Sequence, residues 1–92
     1  MKIGFIGLGK MGSNMTKRLL MADHEVVAYD PSDMALQQAE LLGATVVRSR
    51  EEVVGELEDV IIWLMIPAAF VDQEIDALLE FVGEGAVIID GG

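Results

Sequence analysis

No cysteine occurs among the 92 residues of this chain, which excludes a disulfide framework, a thiolate nucleophile and a cysteine zinc site, and fits a reducing compartment. The single histidine, His24, reads as a turn residue, and no group of acids around it has ligand spacing, so no metal is expected. Lysine and arginine stop at Arg50: residues 51–92 carry eleven acids and no base, against six bases and five acids before them. A field of that sign disfavours nucleic acid and anionic membrane as partners. Glu51, Glu52, Glu56, Glu58, Glu74, Asp76, Glu80 and Glu84 read as solvated helix faces and loops rather than an acidic docking surface. No apolar run approaches the roughly 18 residues needed to span a bilayer. Met1-Lys2 leads straight into an apolar strand with no signal-peptide pattern, so a cytoplasmic location is expected. With 52% hydrophobic residues, the length and composition suit one small domain with a compact core.

What is present is a regular alternation of short β-rich runs and helical patterns, the signature of βαβ units on a parallel sheet. Strand one is the run Ile3 to Ile6, and Met11, Met15 and Leu19 recur at helical spacing after it, with Leu20 widening the stripe. Strand two is Glu25 to Tyr29. A second helix, Pro31 to Leu42, opens with proline in its first turn and stops at Gly43. Strand three is Thr45 to Val47. Ser49-Arg50-Glu51-Glu52 has the form of a capping box and predicts a short third helix ending near Gly55. Val60 to Leu64 is apolar throughout, as a central strand covered on both faces should be, and Pro67 lies just beyond it. A fourth helix with Val71, Ile75, Leu78, Leu79 and Val82 on one face is expected to run to Gly83, and Ala86 to Ile89 is strand five. Right-handed crossovers give the order 3-2-1-4-5, a doubly wound sheet of Rossmann type without its sixth strand. Strand five is then an uncovered apolar edge that invites self-association.

Gly7-Leu8-Gly9-Lys10-Met11-Gly12 sits where strand one meets the first helix, and Asp30 follows eighteen residues after the last glycine. This is a dinucleotide-binding fingerprint in its required context. Gly7 permits the tight turn, Gly9 lets the backbone approach a pyrophosphate, and Gly12 lets the helix pack on the sheet, while free N–H groups and the helix dipole face the negative charge. A tight turn without a ligand is the plain alternative. A glycine-rich S-adenosylmethionine loop is the chemical one, although that loop is usually G-x-G-x-G and residue 11 is Met. Asp30 would accept the ribose hydroxyls, or it caps helix two with Pro31 at the first helical position and Asp33 at the third; the two roles can coexist. A 2′-phosphate at ~4 Å from that carboxylate, at an effective dielectric of ~20, is opposed by about 4 kcal/mol, so NAD is expected over NADP. Met11 either covers the dinucleotide or packs in the core, Lys10 either pairs with pyrophosphate or faces solvent, and Trp63 packs as a strand side chain.

Over its whole length the chain resembles the N-terminal cofactor-binding region of the 6-phosphogluconate dehydrogenases, in the β-hydroxyacid dehydrogenase superfamily. The residues that carry the resemblance are Ile3 to Gly12 with Asn14-Met15, His24 to Asp30, Trp63-Leu64-Met65-Ile66-Pro67-Ala68, and Ile88-Ile89-Asp90-Gly91-Gly92. Hydroxyisobutyrate-type relatives usually show T-M-L-P after strand four and D-x-S-T after strand five, so the W-L-M-I-P-A and D-G-G here look more like the shorter, NAD-preferring 6-phosphogluconate branch. The resemblance implies oxidation of 6-phosphogluconate, a sugar-acid phosphate, by hydride transfer to NAD, then decarboxylation to ribulose 5-phosphate. It also implies that Gly7 to Gly12 cradle the pyrophosphate, Asp30, Pro31 and Ser32 surround the adenosine ribose, and Ile66, Pro67 and Ala68 line the nicotinamide side. Gly91 and Gly92 would begin a D-G-G-N-S substrate loop. The loop's Asn and Ser, the sixth strand, the family's general-base Lys and acid Glu, and its helical domain have no counterpart in residues 1–92. The expectation is therefore a partial NAD-binding domain that binds cofactor without turnover. Asp23 stands where Gly is usual before His24, Ala69 where Gly is usual after P-A, and Thr16 where a smaller residue is common. Two other functions stay open: a hydroxyacid dehydrogenase with another small substrate, and a non-catalytic NAD(H)-sensing interaction module.

Overall fold

The computed structural model describes residues 1–91. Five parallel strands, β1 (Lys2–Ile6), β2 (Glu25–Tyr29), β3 (Thr45–Val46), β4 (Ile61–Leu64) and β5 (Val87–Asp90), form one sheet in the order β3-β2-β1-β4-β5. This is the doubly wound order expected from the alternation. The helices are α1 (Gly9–Met21), α2 (Asp33–Leu42), α3 (Arg50–Gly55) and α4 (Val71–Leu78), with a 3-10 turn at Ala68–Phe70 leading into α4.

The period-2 alternation of the strands sends side chains to two cores. Ile3, Phe5, Val26 and Ala28 pack with Leu8 and Ala39 on the side of α1 and α2, where Met15, Leu19 and Leu20 join them. Ile6, Val27, Ile62 and Leu64 pack with Val53, Leu57, Val71 and Leu78 on the side of α3 and α4. Burying both faces of β1 and β4 is what their apolar runs dictate. Val87 is 47% exposed, and β5 pairs only with β4 among the described residues.

Several local expectations are corrected. Helix two starts at Asp33: Ser32, in an extended conformation, accepts a hydrogen bond from Ala35 N, so Ser32 is the N-cap and Pro31 lies outside the helix. Asp30 therefore does not cap it. In the third helix the box forms as expected at the backbone, with Ser49 Oγ accepting from Glu52 N at 3.2 Å. The fourth helix ends at Leu78 rather than near Gly83, because Glu80 N and Phe81 N bond to carbonyls three residues back and tighten the last turn. That turn swings Leu79 outward, to 60% exposure. Met11, the first member of the α1 stripe, is 63% exposed. Asp23 adopts φ 65°, the left-handed conformation that a glycine would take there, and Thr16 is fully buried in α1.

Candidate functional site

The site lies at the C-terminal ends of β1 and β4, where the chain direction of successive crossovers reverses. Gly7 leaves β1 with φ +81°, its N–H bonded to Tyr29 O at 2.8 Å. A Cβ on Gly7 would lie 2.5 Å from Ile66 Cγ2 and 2.6 Å from Met65 O, so neither the torsion nor the space admits a side chain. Gly9, at φ +56°, is different: nothing lies within 4 Å of where its Cβ would be. The turn is thus jammed against β4 at its root and open at its tip. Gly12 N donates to Leu8 O at 2.7 Å and starts the helical ladder, and a Cβ on Gly12 would lie 3.5 Å from Met65 Cβ and 3.6 Å from Leu8 Cβ. The first-turn N–H groups of α1 have no intrahelical acceptor and form the positive end of its dipole. Leu8, the residue before α1, offers no side-chain cap.

Asp30 fixes this loop to the end of β2. Its Oδ2 accepts from Leu8 N and its Oδ1 from Ser32 N, each at 2.8 Å. Each oxygen keeps lone-pair capacity for a further donor. Leu8 is 1% exposed, so its N–H depends on that carboxylate.

Beside Gly7 lies a cleft of about 510 Å³ between the end of β2 and α4. Ile66 and Pro67, named from the sequence, line it together with Pro31 and Gly7. Tyr29, Arg50, Phe70, Gln73 and Glu74 line it as well, a convergence of four segments that carries no local sequence signal. Arg50, the first residue of α3, forms a two-pronged ion pair with Glu74 of α4, through Nε to Oε2 and through Nη2 to Oε1 at 3.0 Å. The hydrogen bonds from Arg50 to Glu74 raise its pKa above the ordinary arginine value against the opposing effect of burial. Glu74 is not a solvated helix residue, since its side chain is only 12% exposed. Ala68, Ser32, Lys10 and Met11, also named from the sequence, are exposed and are not among the residues that line it. Gly91 lies on the β5 side, its N–H bonded to Leu64 O at 3.0 Å, where a Cβ would meet Trp63 and Met65 at 2.8 Å. Gly92 lies outside the described residues.

A depression of about 550 Å³ at the opposite end of the sheet is lined by Glu25, Glu56, Glu58 and Asp59 with Lys2. Its carboxylates offer no donors to an anionic ligand, and it is not the candidate. Among the described residues no group of three acids, histidines or cysteines could hold a metal ion, and no helix is long and apolar enough to cross a membrane.

A parallel sheet in this order, with a glycine turn opening a helix and an acid bridging it to β2, defines a dinucleotide-binding domain of Rossmann type. Residues 2–92 match the family described as the NAD binding domain of 6-phosphogluconate dehydrogenase, and the chain belongs to that family, within the β-hydroxyacid dehydrogenases. It is 43% identical over 94 residues to the NAD(+)-dependent, decarboxylating 6-phosphogluconate dehydrogenase of Haloferax volcanii, covering 100% of this chain and 31% of that protein. It is 38% identical over 100 residues to a decarboxylating 6-phosphogluconate dehydrogenase of Bacillus licheniformis, covering 98% and 21%. The solved 3-hydroxyisobutyrate dehydrogenase of Mycobacterium tuberculosis with L-serine superposes with a TM-score of 0.87 at 34% identity, over 97% of this chain and 30% of that one. The chain spans less than a third of the length of each of these relatives.

Proposed function

We propose that the chain is the NAD(H)-holding portion of a dehydrogenase that oxidises and decarboxylates 6-phosphogluconate to ribulose 5-phosphate. The cofactor's part is to accept the hydride. In this reading Gly7 to Gly12 meet the pyrophosphate, Asp30, Pro31 and Ser32 meet the adenosine ribose, Ile66, Pro67 and Ala68 flank the dinucleotide, and Gly91 and Gly92 face the sugar-acid phosphate. The observation that carries it is Gly9: a left-handed glycine with open space in front of it, at the head of a thirteen-residue helix, is what close approach of a phosphate to backbone N–H groups requires. Identity to both 6-phosphogluconate and 3-hydroxyisobutyrate dehydrogenases keeps a second hydroxy-acid substrate in play. The D-G-G at Asp90 to Gly92 favours the sugar acid. We place the domain in the cytoplasm.

The test is a titration with NADH and, separately, NADPH, following energy transfer from the half-buried Trp63 to the reduced nicotinamide. Saturable NADH binding with NADPH at least tenfold weaker is the expected result. Equal or tighter NADPH binding would overturn the role of Asp30, and no binding of either would overturn the site.

Among the described residues β5 has β4 as its one strand partner, and its outer edge supports self-association of this chain. Val87→Lys places a charge on an edge residue that is already half exposed and should abolish any concentration-dependent dimer seen by sedimentation, at little cost in stability. A dimer that persists in this variant would locate the contact elsewhere.

A further inference from the structure

Two arginines stand near the corner where β2 ends, and each already has a carboxylate partner. Arg48 Nη1 bonds Asp33 Oδ1 on the exposed outer side. Arg50 is the one cation among the lining residues of the cleft beside Gly7, and Glu74 is the one anion. Their pair is two-pronged and joins α3 to α4 across that cleft, with Arg50 39% and Glu74 12% exposed. Tyr29, one residue before Asp30, lines the same cleft. An arginine fork matches carboxylate and phosphate alike. Glu74 occupies the Nε/Nη2 edge of that fork and neutralises its charge, so what remains toward the cleft is a weak attractor of a phosphate.

We propose that Glu74 sets the cofactor preference of this cleft by neutralising Arg50, the one cation among its lining residues, so that a 2′-phosphate finds no net positive charge there. The proposal rests on the NAD-site reading above. Asp30 then acts as the repelling half of the discrimination and the Arg50–Glu74 pair as its silent half. Specificity is a difference of affinities and can be reached by penalising one ligand as well as by favouring the other. The residue that sets it lies 44 positions from the acid at the end of β2, on another helix.

The experiment measures dissociation constants of NADH and NADPH for the 92-residue chain and for Glu74→Gln, Arg50→Gln and the double variant. Glu74→Gln frees the fork while keeping the side-chain shape; the ratio of the NADPH constant to the NADH constant should fall at least tenfold, and the gain should shrink as salt is raised. In the double variant the ratio should return to within threefold of the wild-type value. Arg50→Gln alone should leave the ratio where it was, since Arg50 does not serve NADPH in the wild type. A ratio in Glu74→Gln within twofold of wild type overturns the proposal. So does a gain that survives in the double variant, which would make Glu74 a simple repelling charge. Should Glu74→Gln fail to fold, Glu74→Met is measured in its place, with the same expected fall in the ratio and the same overturning result, and selective weakening of NADPH in Arg50→Gln also overturns the proposal, since Arg50 would then already meet the phosphate. Wild-type protein that binds neither cofactor removes the NAD-site reading, and this one with it, before any variant is compared.

Discussion

Gly7→Ala is expected to lower stability by about 3–4 kcal/mol and to abolish cofactor binding. The left-handed backbone costs an alanine about 1–2 kcal/mol. The new methyl would also lie 2.6 Å from a backbone oxygen of Met65 and 2.5 Å from Ile66, and overpacking of that kind costs about 1–3 kcal/mol. Backbone cannot rotate away as a flexible side chain can, so β1 and the turn after β4 must part. Against a typical total of about 5–15 kcal/mol, this removes a large share, and the urea midpoint should drop by roughly 2 M. Gly9→Ala isolates the other half of the turn. It has a similar torsion but no neighbour within 4 Å, so stability should fall by only about 1–2 kcal/mol while NADH affinity drops at least tenfold. Wild-type affinity in Gly9→Ala would show that the pyrophosphate does not pass over the loop tip. Equal destabilisation by the two variants would show that crowding against Met65 is not what demands a glycine at position 7.

Asp30→Ala should damage the fold as well as the site. Removing the carboxylate orphans the buried Leu8 N–H, at about 1–3 kcal/mol, whereas the exposed Ser32 N–H can turn to water. A loss near 2 kcal/mol lowers the melting temperature of a domain this size by about 8–16 °C. Affinity for NADH should fall, because the loop that meets the pyrophosphate has lost its tether and the ribose its acceptor, while NADPH, relieved of the opposing charge, should lose less and the preference for NADH should narrow. Asp30→Asn keeps one acceptor oxygen, enough for Leu8, and should lose no more than about 1 kcal/mol. If Asp30→Ala melts like the wild type and merely exchanges NADH for NADPH, the tether is unimportant and the acid serves the ribose alone.

These two positions show how much was legible in advance. The glycine spacing and the acid after β2 located the turn, because both are set by local geometry along one βαβ unit. The strand order followed from the alternation and crossover handedness. Boundaries slipped where two local signals compete. Pro31 reads as a helix opener, yet the Ser32 hydroxyl two residues before Met34 is the better cap, and Asp30 was left free to reach back to Leu8. Leu79 fits the apolar stripe of α4, but the last turn tightens and exposes it. The Arg50–Glu74 pair was not legible. Its members are 24 residues apart on different helices, and each has a sufficient local explanation, one inside a capping box and the other among many acids on an amphipathic helix.

The place of β1 in the sheet bears on how the chain folds as it is made. The central strand β1 is made before its two partners, which arrive at very different times: Lys2 pairs with Glu25, but Gly4 pairs with Ile62, about 58 residues later. At translation rates of about 5–20 residues per second, one edge of β1 waits about 3–12 s for β4. During that interval the β3-β2-β1 half presents an unpaired apolar edge that β4 later covers. Aggregation of nascent chains is therefore expected to respond to the speed at which residues 47–64 are translated, and slow codons there would prolong the exposure.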